Sequence, residues 1–242
     1  MIDQLEDLKY SDGNHTYRLD KKLIDGISTV CKVGQAADSL IPWAYYSGTD
    51  DAFEFLQPRL KDTVLEEFRL ALKQEGYTPF RRRDAGGIKG TVVHDVLEKL
   101  AQDETHPNLA DYDDAARGHV QSLLEWHTEY KPTFLAVEVM VCSRTHRFAG
   151  RYDVRAEIDG KSCLIDLKTS KRIYPEQHFV QLAGYELASV EMGYPATDAQ
   201  YVLCTDGDGG KAEFVKSTAT AENFLNYLNA HRDRKTLKKG SK

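Results

Sequence analysis

The stretch from residue 150 to residue 169 reads GRYDVRAEIDGKSCLIDLKT, and it decides the fold of this chain. Two runs of apolar and β-branched residues flank Asp159-Gly160, a dipeptide typical of a tight hairpin turn. The hairpin would place Asp153 and Asp166 near one another on adjacent strands. Two close carboxylates repel each other unless a cation neutralises them, and oxygen ligands favour Mg²⁺ or Mn²⁺ over zinc. The stretch therefore predicts a divalent-metal site on a β-hairpin.

Lys168 adds a second chemical group to this hairpin. Because side chains alternate along a strand, Lys168 shares a face with Asp166, and Leu167 between them points into the core. A lysine beside a metal can orient or help to deprotonate an attacking water, or stabilise charge on a phosphate oxygen. The tripeptide alone favours an ordinary salt bridge on an edge strand, and Asp153 on the neighbouring strand brings the two interpretations level.

Four further residues are candidates for the same site. His94 falls at the border of the apolar face of a helix predicted for residues 91–102, so it would point inward at the sheet. Gln181 and Tyr185 are four residues apart and share a face of the next helix after the Asp-Leu-Lys strand. Glu138, in an alternating strand, would either reach the site or pair with an arginine. Taken singly, a core histidine and an ordinary amphipathic helix are the simpler interpretations.

The periodicity along the chain predicts an α/β fold with a central mixed sheet and flanking helices. Helices are expected over 36–46, 50–74 (kinked or broken at Pro58), 91–102, 112–130, 176–192 and 219–231. Strands are expected over 134–141, 148–158, 162–167, 199–204 and 212–215, with a hairpin and strand over 8–30 that the β-branched residues 27–33 would continue. We expect a small N-terminal β-hairpin and helical lobe (1–85) packed on a core (86–231), followed by a basic, disordered tail (232–242).

Composition limits the possible functions. The 242 residues include 32 basic and 38 acidic side chains, a net charge of −6, which argues against bulk nucleic-acid binding but allows one local groove. No run approaches the ~18 apolar residues of a membrane span, and the acidic N-terminus does not look like a signal, so we expect a cytoplasmic protein. Four cysteines without metal-binding spacing are expected to be buried: Cys31, Cys142, Cys163 and Cys204.

Together these features resemble the PD-(D/E)XK nuclease superfamily, and within it the RecB-type exonuclease branch. Four motifs occur in the family order: G-x-x-x-H at Gly90–His94, G-x-x-D at Gly150–Asp153, D-x-K-T at Asp166–Thr169 and Q-x-x-x-Y at Gln181–Tyr185. The resemblance is close over residues 87–205. Residues 165–171 are also similar to mitochondrial genome-maintenance exonucleases, and the opening of the chain looks like bacteriophage-encoded members. Residue 152 is Tyr where the superfamily name has Pro, which is usual in this branch.

The resemblance implies a restriction-endonuclease-like core that hydrolyses DNA with Mg²⁺, for which Mn²⁺ would substitute. It implies that His94, Asp153 and Asp166 are metal ligands, together with the main-chain carbonyl of Leu167. Lys168 would be the catalytic lysine, acting alongside the two aspartates.

Other residues would hold the DNA. Gln181 and Tyr185 would support the site or contact the DNA backbone, and Glu138 ranks below them. Positive charge for the strand would come from Arg81, Arg82, Arg83, Lys89, Lys171 and Arg172. Tyr45, Tyr46 or Tyr174 would stack bases of a single strand, although ordinary packing is the simpler interpretation of each.

The sequence thus favours a Mg²⁺-dependent exonuclease acting on a single strand or a duplex end in phage or bacterial recombination, repair or replication. A recombination or single-strand-annealing protein is a candidate partner. Two alternatives stay open: an endonuclease on the same fold, and a DNA-binding or assembly protein with a silent nuclease core. The intact set of His94, Asp153, Asp166 and Lys168 speaks against the second alternative.

Overall fold

The computed structural model describes residues 7–12, 15–32, 70, 81–102 and 107–240, with 81–86 and 238–240 described by their backbone alone. The helix predicted over 36–46, including Tyr45 and Tyr46, lies outside these residues. So does the helix predicted over 50–74 with Pro58, apart from residue 70.

In the described part of the chain, eight strands form one mixed sheet, which confirms the predicted α/β class. They are β1 (Leu8–Ser11), β2 (Thr16–Leu19), β3 (Lys22–Gly26), β4 (Thr133–Ser143), β5 (Phe148–Ile158), β6 (Lys161–Lys168), β7 (Ala199–Cys204) and β8 (Glu213–Lys216). The strand order is β1-β2-β3-β5-β6-β7-β8, and β4 also pairs with β5. The β3–β5 and β6–β7 pairs are parallel and the others are antiparallel.

The two edges of strand β5 create the setting for the site. Strand β4 pairs along one edge, over almost the whole length of β5. The other edge is shared, because β3 pairs at Phe148 and Ala149 while β6 pairs from Val154 to Ile158. Residues 150–153 therefore lie in a gap between two ladders. The β5–β6 turn has Asp159 at φ 50° and Gly160 at φ 72°, the left-handed conformations that the predicted hairpin requires.

Helices cover both faces of the sheet. They are α1 (Ile27–Cys31), α2 (Arg81–Ala101), α3 (Asp114–Tyr130), α4 (Pro175–Glu191) and α5 (Ala221–Gly240), with a 3₁₀ turn at Leu109–Asp111. One hydrophobic core joins α1, α4 and α5 to the sheet, and a second joins α2 and α3 to its opposite face. Along β6, Leu164 belongs to the first core, and Ile165 and Leu167 belong to the second, as strand alternation requires.

Three predicted elements differ in the structure. The β-branched stretch from residue 27 forms helix α1 and not a strand, because Ile27, Val30 and Cys31 share one buried helical face and packing overrides local propensity. Helix α2 begins at residue 81 and not at 91, so its glycines lie within the helix and not in a preceding loop. Helix α5 continues to residue 240, so the tail predicted to be disordered from 232 is helical as far as it is described.

The N-terminal strands are continuous with the core sheet through the parallel β3–β5 pair. All four cysteines are buried and unpaired, as predicted. Among the helices within the described ranges, none is long and apolar enough to cross a bilayer.

Candidate metal centre

Three side chains from three elements converge at the gap on β5. His94 Nδ1, on α2, lies 3.5 Å from Glu138 Oε1, on β4, and 3.7 Å from Asp153 Oδ1, on β5. Each of the three offers one ligand atom, and these atoms lie within 4.8 Å of one another. The two carboxylates are ligands that Mg²⁺ and Mn²⁺ both accept, and the imidazole favours Mn²⁺ over Mg²⁺. The inward direction predicted for His94 is confirmed.

Backbone geometry brings Glu138 to this position. Its neighbours Val137 and Val139 pair with Val154 and Tyr152, so Glu138 lies across from Asp153 on the adjacent strand. Glu138 has φ 52°, a left-handed conformation that is uncommon for a residue with a side chain. Non-glycine residues held in such conformations concentrate at functional sites.

Glu138 combines both roles that its strand position suggested. Its Oε1 faces His94, and its Oε2 accepts a 2.7 Å salt bridge from Arg151 Nε. The arginine orients the carboxylate and leaves Oε1 directed at the imidazole. The sequence ranked Glu138 below the other candidates, whereas the structure places it within the tightest group.

The two aspartates occupy adjacent strands where those strands separate. The β5–β6 register runs as far as Val154 opposite Ile165, which places Asp153 next to Asp166. Beyond that pair the Leu167 N–H donates a 2.6 Å hydrogen bond to Asp153 Oδ2. This bond fixes one oxygen of Asp153 and leaves Oδ1 facing His94. The predicted proximity of the two carboxylates is confirmed.

Asp166 is a buried carboxylate whose ion-pair partner is Lys168. Its side chain is 1% exposed. Its Oδ1 finds no hydrogen-bond donor among the residues that the structure describes. Burial raises the pKa of Asp166 to about 6; Lys168 opposes the rise and Asp153 adds to it. Asp166 is thus a further carboxylate next to Asp153, in the same cavity as Glu138 but outside the close group of His94, Glu138 and Asp153.

The basic groups of the site respond to the same carboxylates. Burial disfavours the charged forms of both His94 and Lys168, but the carboxylates outweigh it. Asp153 and Glu138 raise the pKa of His94, and Asp166 and Asp153 raise the pKa of Lys168. The acidic side chains of the site therefore favour the charged forms of both His94 and Lys168.

Helix α4 supplies the polar pair predicted for one face. Gln181 Nε2 donates to Tyr185 Oη at 2.7 Å and to Ser28 Oγ of α1 at 3.3 Å. Burial, together with Asp166 and Asp153, raises the pKa of Tyr185 well above its usual value, so the phenol is neutral. The pair therefore offers uncharged hydrogen bonds at the wall of the site.

Close packing explains why residue 150, the first of the Gly150–Asp153 motif, is a glycine. A Cβ at Gly150 would lie 2.6 Å from Tyr185 Cε1 and 2.7 Å from Ile27 Cδ1. A larger residue would displace Tyr185 from β5. Gly90, the first residue of the G-x-x-x-H motif on helix α2, lies against Thr169. An added Cβ at Gly90 would be 3.6 Å from Thr169 Oγ1.

One cavity of about 720 Å³ unites these groups. His94, Glu138 and Asp153 line it together with Asp166, Lys168, Gln181 and Tyr185. The side chain of Leu167 packs in the core behind the site, on the opposite face of its strand. The sequence did not single out Arg151, Ser28, Tyr10, His15 and Tyr17, which line the same cavity. In the sequence, the aromatic side chains of the first hairpin, Tyr10, His15 and Tyr17, were the feature that could have indicated this part of the site.

The basic residues predicted to bind DNA do not line the cavity of the metal centre, as far as their side chains are described. Lys89 and Lys171 line a second cavity, of about 500 Å³, and burial together with Lys171 lowers the pKa of Lys89. Arg172 lies over the ring of Tyr174, with Cζ 4.9 Å from its centre. The backbone of residues 81–83 is helical, and their arginine side chains are outside the described part.

Comparison with known proteins does not assign this chain to a family. No protein-family model matches this sequence, and no curated protein matches it. Among solved structures, the crystal structure of SSO0001 is 16% identical, with a TM-score of 0.33; the match covers 63% of this chain and 87% of that chain. A likeness at this level carries no argument about function.

Proposed function

We propose that this protein is a Mg²⁺-dependent deoxyribonuclease, with exonuclease action favoured. The observation that carries the proposal is the convergence of His94, Glu138 and Asp153 in one cavity with the buried Asp166 and its ion-pair partner, the half-buried Lys168. The resemblance of four sequence motifs to RecB-type exonucleases supports the same conclusion. The protein would act in the cytoplasm of a bacterial or phage-infected cell.

The chemistry assigned to each side chain follows from its position. His94, Asp153 and Glu138 would hold the ion, with Asp166 as a further carboxylate at the same cavity. The ion would supply charge stabilisation for the phosphate and acidify water. Lys168, held by Asp166, would orient the attacking water or stabilise charge on a phosphate oxygen. The neutral side chains of Gln181 and Tyr185 would hydrogen-bond to the sugar–phosphate backbone of the DNA strand.

The direct test compares linear and covalently closed circular DNA in the presence of Mg²⁺. We expect mononucleotides from linear DNA, no change in the circle, and no reaction with chelator. Nicked or linearised circles would instead indicate an endonuclease. Binding without product would indicate a DNA-binding or assembly protein and would contradict the proposed reaction. Parallel reactions with single strands and blunt duplexes would establish the strand preference.

A further inference from the structure

The first hairpin of the chain forms a wall of the metal cavity. Tyr10 on β1 and Tyr17 on β2 are cross-strand partners, and His15 precedes β2. All three line the cavity that contains His94 and Asp153. A ligand held at the metal centre therefore faces a cluster of aromatic rings on this side.

These rings are held in a defined arrangement. The ring centres of Tyr10 and Tyr17 are 4.8 Å apart at an angle of 34°, and Tyr10 Oη lies 2.8 Å from His15 Nδ1. Tyr17 packs closely over Gly26, where an added Cβ would lie 3.4 Å from its ring. Gly26 in turn pairs with Ala149 at the start of β5. The aromatic cluster is thus anchored to the strand that carries Asp153.

An arginine connects the aromatic cluster to the metal ligands. Arg151 Nε forms the 2.7 Å salt bridge to Glu138, and its Cζ lies 5.7 Å from the centre of the Tyr10 ring. Aromatic faces combined with cationic groups are how proteins bind unpaired bases and the phosphates between them. Tyr10 and Tyr17 are partly exposed within the cavity, so they are available for such contacts.

We propose that the hairpin β1–β2 is the base-binding wall of this site, and that Tyr10 and Tyr17 contact the unpaired base of the nucleotide whose phosphate lies at the metal centre. This inference rests on the proposed function and names its substrate as an unpaired strand end. A cavity of about 720 Å³ falls in the range of sites for single small ligands, ~300–1,000 Å³, and suits a nucleotide in preference to a stretch of duplex.

The test combines a change in the protein with a change in the substrate. Tyr10→Leu removes the aromatic face, and Tyr10→Phe keeps the ring but loses the contact with His15. Each variant is assayed with Mg²⁺ on single strands that carry either a normal or an abasic residue at one end, for both ends in turn. Tyr112→Leu serves as a matched control, because Tyr112 is a partly buried tyrosine that packs against the other core.

We expect Tyr10→Leu to lower kcat/KM on the normal strand by about 5- to 100-fold, the range for loss of one base–aromatic contact. On the strand with an abasic residue at the cleaved end the loss should be less than about twofold. Tyr10→Phe, which keeps the ring, should restore most of the activity lost in Tyr10→Leu, and Tyr112→Leu should stay close to wild type on both strands. Dissociation constants for the same strands, measured with Ca²⁺ in place of Mg²⁺, should change in parallel.

Two results would overturn the inference. An equal loss on normal and abasic strands would mean that Tyr10 only stabilises the hairpin, and thermal melts of the variant would then show a lower midpoint. No loss on either strand would remove the hairpin from the site while leaving the proposed nuclease intact. A wild-type protein that neither binds nor cleaves DNA would contradict the proposed function itself, and the inference with it.

Discussion

Two carboxylates of this protein lie next to lysines, and their surroundings differ. Asp25, on β3, accepts a 2.9 Å hydrogen bond from Arg232 and a salt bridge from Lys235, both on α5. Burial alone would raise the pKa of Asp25, but Lys235 and Arg232 outweigh it and lower that pKa. Asp166 has Lys168 beside it but also Asp153, and burial raises its pKa to about 6.

The difference separates a structural ion cluster from a candidate reaction site. The Asp25 cluster satisfies its carboxylate completely and attaches α5 to the sheet, where Arg232 also donates to the carbonyls of His146 and Arg147 at 2.7 and 3.1 Å. The Asp166 site instead places three carboxylates, Asp153, Asp166 and Glu138, in one cavity with Lys168, Arg151 and His94. Carboxylates that lie close together repel each other, so such a site is expected where a cation binds.

The largest expected difference between the two clusters lies in catalysis. Asp166→Asn should lower the rate of DNA hydrolysis on the order of 10³-fold, because a charge that supports the metal and Lys168 is lost. The matched variant Asp25→Asn should keep the wild-type rate within about threefold. Initial rates at saturating Mg²⁺, with circular dichroism as a check on folding, decide the matter. Near-normal turnover by folded Asp166→Asn would sink the assignment.

Lys168→Ala sharpens the comparison from the basic side of the pair. If Lys168 acts on the water or the phosphate, the variant should bind Mn²⁺ and DNA but hydrolyse about 10²-fold more slowly. Filter binding and single-turnover rates separate the two effects. A variant that loses DNA affinity while its turnover persists would make Lys168 a phosphate anchor and not a catalytic residue.

His94→Ala should weaken Mn²⁺ binding about tenfold and leave the metal-free melting temperature nearly unchanged. A ligand histidine must be neutral. Because Asp153 and Glu138 raise the pKa of His94 above its ordinary value, ~6.5, protons should compete with Mn²⁺ near neutral pH. Wild-type affinity should therefore fall as pH drops through this raised pKa, and the variant should show a weaker dependence. Equal affinities with a lower melting temperature for the variant would make His94 a core residue.

The smallest effect is expected at Asp25 and concerns stability alone. Its pKa is lower in the folded protein than in the unfolded chain, so its contribution is present above about pH 4 and is lost as pH falls through the folded-state value. Asp25→Asn should lower the free energy of unfolding by about 1.5–3 kcal/mol at pH 7, the range for hydrogen bonds to a charged group. Urea titrations at pH 7 and pH 3 should show this difference shrinking in acid. A difference that is constant with pH would assign the loss to packing.

The sequence predicted those parts of the site that depend on local rules. Strand alternation places Asp166 and Lys168 together, the Asp159-Gly160 turn sets the register that brings in Asp153, and helical spacing joins Gln181 to Tyr185. Each of these relations spans fewer than 20 residues, so turn geometry and periodicity were sufficient.

The remaining features depend on contacts between distant segments. The left-handed backbone of Glu138 arises within a long strand that local pattern reads as regular. The position of Tyr10 beside the metal ligands depends on the short parallel pairing of β3 with β5, which joins residues more than 120 positions apart. Helix α1 formed against its β-branched composition because the core required it. Tertiary packing determines these three features, and contacts between distant segments cannot be read from the pattern of a single sequence.

Calorimetric titration of Mn²⁺ into the protein tests the central claim most directly, namely that His94, Glu138 and Asp153 bind a divalent cation. Wild type and Asp25→Asn should bind Mn²⁺ with the same affinity, and Asp153→Asn should bind it at least about tenfold more weakly. No binding by the wild-type protein, or equal affinity in Asp153→Asn, would contradict the account.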